Sequence, residues 1–239
     1  RNGAYEDIVL GYNNIDTYLN NPGERFLGAV VGPYANRIAD GTYTIGEETY
    51  NFPQNNNGQT LHGGERGLDM VVWDVTAVTD SSMVLEYLHA DGQEGMPGNL
   101  KIVMTYALTD ADEFRVDYVA ETDKATHVNI SHHSFFNLKG EGKGTINDHV
   151  LMINASATTP VNPVLIPTGE VADVTGTPFD FREPKPIGQD LGTEDEQLHN
   201  GGGYDHNWVL DRQSCCGLEL AASVHEPSSG RFMEVLTDQ

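Results

Sequence analysis

Adjacent imidazoles at His132 and His133, and a third at His62, are the residues of this chain best suited to proton transfer. The first two sit in Thr126–Leu138 (THVNISHHSFFNL), behind the β-branched Val128 and Ile130; the third opens Leu61-His62-Gly63-Gly64. Histidine takes up and releases protons near neutral pH. The β-branched lead-in predicts a strand, and neighbouring strand residues point to opposite faces. One of His132 and His133 is therefore the candidate for chemistry, while the other packs or meets solvent. On that stretch alone, core or surface histidines are the plainer reading. The two glycines after His62 suit a ligand-facing loop that needs positive φ or close backbone approach.

Other polar groups could hold a ligand. In Phe26–Ile38 a buried strand ends at Gly32-Pro33 and delivers Tyr34, Asn36 and Arg37 to its end. An arginine so near an apolar run needs acceptors, either a carboxylate in a structural ion pair or a ligand oxygen. Gly203-Tyr-Asp-His-Asn-Trp208 brings Asp205 to the mouth of another strand, after an acidic, glycine-rich loop at 188–203. That loop lacks the strand–glycine–Lys/Ser–helix context of a phosphate loop. His62, His133, Asp205 and His206 are metal-ligating types, but nothing in their spacing favours a metal site.

The elements that must position these groups are strands. Met70–Val78, Met83–His89, the alternating Leu100, Ile102, Met104, Tyr106 and Leu108, and then Phe114, Val116, Tyr118 and Ala120 follow period two with turns between them. That pattern predicts an antiparallel sandwich or barrel. A hairpin is expected over Thr42–Phe52, one helical turn at Ile15–Leu19, a turn at 20–23, and closing strands near Leu218–Val224 and Phe232–Thr237. Glu94, in the glycine-rich excursion 91–99, could line a cleft, but a solvated loop carboxylate is the better expectation. Thr177–Arg182 is expected to pack its aromatics, and no long helical period appears.

The totals set bounds. With 239 residues, 36 acidic and 13 basic, the chain carries a formal charge of −23. This argues against nucleic acid and anionic membrane surfaces as partners, yet permits a neutral polar ligand. No apolar run reaches membrane-spanning length. Cys215 and Cys216 are neighbours, expected as two thiols rather than a strained vicinal disulfide. The lack of a disulfide framework fits a cytoplasmic protein, and Arg1, no natural start, leaves a periplasmic form open. No linker or repeat divides the chain, so residues 1–239 are expected to form a single domain.

Four segments, in order, carry a resemblance: Asn36-Arg37-Ile38, Leu61-His62-Gly63-Gly64, His133-Ser-Phe-Phe-Asn-Leu138 and Gly203-Tyr-Asp-His-Asn-Trp208. Together they resemble the aldose 1-epimerase (galactose mutarotase) family over nearly the whole chain. The resemblance implies an all-β fold, a large antiparallel β-sandwich of the galactose mutarotase type. It also implies interconversion of the α and β anomers of a free aldohexose, a monosaccharide partner, and no metal or organic cofactor. It gives His133 the role of general acid at the ring oxygen and has His62 hydrogen-bond near that oxygen. Asn36, Arg37 and Asp205 would bind sugar hydroxyls, and His132 would point elsewhere. The family's base is a glutamate downstream of the segment matching Thr237-Asp238-Gln239. The expectation is therefore of an incomplete copy, short at both ends, that lacks the base and the closing strands. Two other functions stay open. A non-catalytic carbohydrate-binding sandwich would bind sugar without accelerating anomer exchange. A hexose 6-phosphate epimerase would need clustered cations at its cleft rim.

Overall fold

A computed structural model describes residues 5–20, 23–214 and 216–239. Residues 1–4, the middle two residues of the expected turn at 20–23, and Cys215 lie outside that set. Among the described residues the fold is predominantly β, with two short helices, and every ladder between strands is antiparallel. The chain divides into two compact units, Tyr12–Ser134 and Arg1–Gly11 with Phe135–Gln239.

The unit Tyr12–Ser134 starts with helix α1 (Ile15–Asn20), where the Asn14 side chain accepts the Thr17 N–H at 2.9 Å. Short strands follow: β1 (Ala29–Val31), β2 (Arg37–Ile38), the β3 (Thr42–Ile45) and β4 (Glu48–Asn51) hairpin, and β5 (Thr60–Leu61). Then come β6 (Asp74–Val78), β7 (Ser82–His89), β8 (Leu100–Leu108) and β9 (Phe114–Thr122), a four-stranded sheet paired in sequence order. Strand β10 (Ser131–His133) closes the unit. Alternation on β8 explains the core. Leu100, Ile102 and Met104 are all but fully buried and pack with Val30 and Leu68, while Trp73, Tyr87 and Ile130 flank them. Removing such side chains from water is the main stabilising term.

The expected strand Met70–Val78 begins later than the pattern suggested. Leu68–Met70 is a 3₁₀ turn, and the strand runs over Asp74–Val78. The Trp73 indole N–H donates to the Leu68 carbonyl at 3.2 Å, which folds the chain back on itself before pairing starts.

The second unit holds β11 (Val150–Ile153), β12 (Ala155–Thr159), β13 (Ala172–Asp173), β14 (Lys185–Pro186), helix α2 (Glu196–Gly201), β15 (Asn207–Leu210), β16 (Glu219–Glu226) and β17 (Arg231–Thr237). They form two sheets, ordered β14-β11-β16-β17 and β13-β12-β15. Val174, Phe179 and Leu198 make a core against Leu191, Tyr204 and Trp208. The stretch 188–203, expected as loop, contains α2. Asp195 caps it by accepting the Gln197 and Leu198 N–H groups at 2.8 and 3.1 Å, and Gly202 ends it at φ +63°. Both are the residues that helix ends favour.

Candidate functional site

Two ladders bring three of the sequence-selected residues together. In β1–β10, Ala29 stands opposite His133, and in β2–β5, Arg37 stands opposite Leu61, the neighbour of His62. The His62 and His133 rings meet edge to face with centroids 5.1 Å apart. Phe26 packs against both, 4.6 Å from His62 and 5.7 Å from His133. Each ring is half-buried, and so is Arg37, whereas Asn36 is exposed.

The backbone of the His62 loop is unusual and well braced. His62 itself lies at φ +51° and Gly63 at +88°. A Cβ on Gly63 would collide with the Gly32 carbonyl, so the loop runs where only glycine fits. Asn55 spans this loop. Its Nδ2 donates to the carbonyls of Leu61 at 3.0 Å and Gly64 at 2.9 Å, and its Oδ1 accepts the Leu61 N–H at 2.7 Å. Glu94, expected as a solvated carboxylate, accepts the Glu65 N–H at 2.8 Å and so holds the far side of the same loop.

His62 and Asn36 are joined twice. The His62 N–H donates to the Asn36 carbonyl at 3.0 Å, and the Asn36 N–H donates to His62 Nδ1 at 2.9 Å. Arg37 is steered by two asparagines: its Nε donates to Asn56 Oδ1 and its Nη1 to Asn36 Oδ1, each at 3.3 Å. Burial, then the nearby His133, Arg37 and Arg25, pushes the His62 pKa down to about 4. His62 is therefore neutral at physiological pH.

The strand separates the adjacent histidines. His132 packs against Tyr106 and Phe114, with centroids 5.4 and 5.5 Å away, and its Nδ1 lies 2.9 Å from Ser134 Oγ. Burial and the neighbouring His133 lower its pKa. Asp205 belongs to the other unit, where it is exposed just ahead of β15. Trp208, in that unit, packs on Phe179 and donates its indole N–H to the Phe179 carbonyl at 3.1 Å. Among the described residues no three His, Cys, Asp or Glu side chains gather as a metal ion would require.

Sequence reasoning passed over Phe26, Asn55 and Asn56 as site residues, and weighed Glu94 at a cleft only to prefer a solvated loop carboxylate. The only local signal for the two asparagines was their place in an uncharged polar loop running directly into Leu61-His62. Phe26 carried no such signal, and Glu94 had only its place in a glycine-rich excursion.

A family model described as aldose 1-epimerase matches residues 1–239. Galactose mutarotase from Sus scrofa is 42% identical over 239 residues, which is 100% of this chain and 67% of the relative. Aldose 1-epimerase from Escherichia coli (strain K12) is 34% identical over 235 residues, covering 98% of this chain and 66% of the relative. Two solved structures match closely in fold. Galactose 1-epimerase from Lactobacillus acidophilus NCFM gives a TM-score of 0.80 at 32% identity, over 92% of this chain and 64% of that one. An aldose epimerase homologue from C. elegans gives 0.85 at 27% identity, over 95% and 66%. The chain thus spans about two thirds of the length of the proteins it matches.

Proposed function

The chain belongs to the aldose 1-epimerase family, and from that premise we propose that it interconverts the α and β anomers of a free aldohexose such as galactose. The observation that carries the proposal is the contact of His62 and His133, 5.1 Å between centroids, with Arg37 on the ladder beside them. Two imidazoles held in fixed relation beside a cation suit a neutral, hydroxyl-rich ligand that needs one proton delivered.

Ring opening breaks the C1–O5 bond. A base takes the proton from the O1 hydroxyl, the bond electrons pass to O5, and protonated His133 supplies the proton that O5 needs. Rotation about C1–C2 turns the other face of the aldehyde toward the O5 hydroxyl. On closure O5 returns its proton to His133, and O1 is reprotonated by the base. His62, neutral, donates a hydrogen bond close to O5, while Asn36 and Arg37 bind hydroxyls. No residue of 1–239 is assigned to the base at O1; the family likeness gives that task to a glutamate following the segment at 237–239. For Asp205 as a further hydroxyl ligand, and for a single domain over 1–239, the support is likewise the family likeness.

A sugar phosphate is a poorer fit. Arg25, the other cation that bears on His62, is committed to Asp69 and to the Glu65 carbonyl.

The test is polarimetry on freshly dissolved α-D-galactose. The protein should hasten the approach to equilibrium rotation, and His133→Ala should reduce that acceleration by about 10²-fold or more. Sugar binding without acceleration, by a protein whose intact mass exceeds the 26.1 kDa of residues 1–239, would overturn the enzymatic reading in favour of a carbohydrate-binding module.

A further inference from the structure

The hydrogen bond from the Asn36 N–H to His62 Nδ1 has a direct chemical meaning. A backbone amide only donates, so the nitrogen receiving it carries a lone pair and not a proton. The neutral His62 ring must then carry its proton on Nε2. Since His62 also gives its own N–H to the Asn36 carbonyl, turning the ring away would leave the Asn36 N–H without its acceptor.

This pose is not the backbone's natural choice. A non-glycine residue at φ +51° is uncommon, and such strain persists only where the surroundings impose it. Asn55 braces it from both sides. Its three hydrogen bonds, at 2.7, 2.9 and 3.0 Å, grip Leu61 on one side of His62 and Gly64 on the other. Asn55 is partly buried, touches neither His62 nor His133 by any of these bonds, and sits directly before Asn56, which steers Arg37.

We propose that Asn55 is a positioning residue that clamps residues 61–64, so that His62 is locked as its Nε2–H tautomer against the Asn36 amide and acts as a fixed hydrogen-bond donor. Within the pair, His133 alone then changes its protonation state during turnover. The donor's target, a sugar oxygen, rests on the function proposed above; the clamp and the tautomer do not. Burial and the charges around His62 act in the same direction, since they disfavour a second proton on the ring.

The experiment is a long-range ¹⁵N–¹H correlation spectrum of the ¹⁵N-histidine-labelled protein, with a His62→Gln variant to identify the His62 signals. The expected parent spectrum shows an unprotonated Nδ1 and a protonated Nε2, unchanged from about pH 5 to about pH 8, the range over which an ordinary histidine titrates. Asn55→Ala should convert these signals to a mixture of tautomers and let the ring titrate closer to the ordinary range. The catalysed rate should fall about tenfold, a loss of ~1.4 kcal/mol in transition-state stabilisation. Glu94→Ala serves as the contrast: it loosens the loop at Glu65 and should lower the melting temperature while leaving the His62 signals in place.

A parent His62 protonated on Nδ1, or titrating between pH 5 and 8, overturns the proposal even if Asn55→Ala fails to fold. A folded Asn55→Ala whose His62 signals match the parent's overturns it as well. Because the spectrum requires no sugar, polarimetry can fail while the clamp stands, or succeed while the clamp falls.

Discussion

Arg25 and Asp69 meet side-on. Nε lies 2.6 Å from Oδ2 and Nη2 lies 3.1 Å from Oδ1, with the aspartate side chain only 2% exposed. The same guanidinium donates to the Glu65 carbonyl at 3.1 Å and lies over the Phe26 ring, which packs on His62 and His133. The pair thus fastens both the loop after His62 and the aromatic ring that packs on the two imidazoles. Arg25→Ala leaves the Asp69 charge buried and alone, and should cost about 3–5 kcal/mol of stability. Arg25→Met with Asp69→Leu should recover much of that loss. Urea unfolding of the single and double variants measures both quantities.

Adjacent histidines should behave differently. His132 faces Tyr106 and Phe114, and His133 faces Phe26 and His62. Polarimetry on His132→Asn should give a rate within about threefold of the parent, a change in barrier of under ~1 kcal/mol. His133→Ala should lose the acceleration. Equal losses at both positions would contradict the division of faces on β10.

Gly63 has no room for a side chain, because its Cβ would strike the Gly32 carbonyl at a φ that L residues rarely adopt. Gly63→Ala should destabilise the unit Tyr12–Ser134 by about 3 kcal/mol or move the His62 loop enough to disconnect it from Asn36. Thermal unfolding, together with the His62 ring signals, separates those two outcomes. Gly46→Ala, at a turn with open space around it and φ +61°, should cost only about 1 kcal/mol.

The fold carries an acid sensitivity at His89. This ring is 1% exposed, neither nitrogen has a hydrogen-bond partner, and burial pushes its pKa down to about 4. The unfolded chain binds this proton more readily, so the stabilising contribution is complete above the ordinary value near 6.5 and is lost as pH falls from there toward 4. By linkage the loss approaches about 3 kcal/mol at the acid end, and His62 adds to it with the same sign. Glu226 acts lower on the scale. Burial alone would raise its carboxyl, but hydrogen bonds from Ser229 and Ser228 outweigh that and bring it down to about 2. Its contribution is lost only as pH falls below the ordinary glutamate value. Urea midpoints compared at pH 7 and pH 5 therefore report chiefly on the histidines, and His89→Leu should flatten the difference.

What was legible in the sequence follows from what is local. Alternation along Leu100–Leu108 revealed the strand and, as far as Met104, its buried face, because period two is a property of a single segment; Leu108 at its end is exposed. The glycines after His62 marked a special backbone, and four short segments in order pointed to the family. The six-residue helix after Asp195 was hidden because it is too short to show a 3.6-residue period, although its aspartate and glycine ends were visible. Asn55 could not be singled out from its neighbours Asn56 and Asn57, since its three bonds exist only once the loop has closed. Arg25 and Asp69 are 44 positions apart, and nothing in either segment names the other. The late start of β6 likewise depended on an indole reaching back to Leu68.

The order of pairing in the sheet β6–β9 bears on how the protein assembles. Each strand after the first pairs with the one before it in sequence, so the sheet can zip up through local loops with modest loop-closure entropy. By contrast, β1 and β10 pair Ala29 with His133 across about a hundred positions of chain. The meander should therefore form first and the histidine-bearing ladder last. Substitutions at Ile102 should slow folding, while those at Val31 should chiefly hasten unfolding. The two imidazoles would then meet only as folding completes, and an early intermediate would have a sheet but no competence for chemistry.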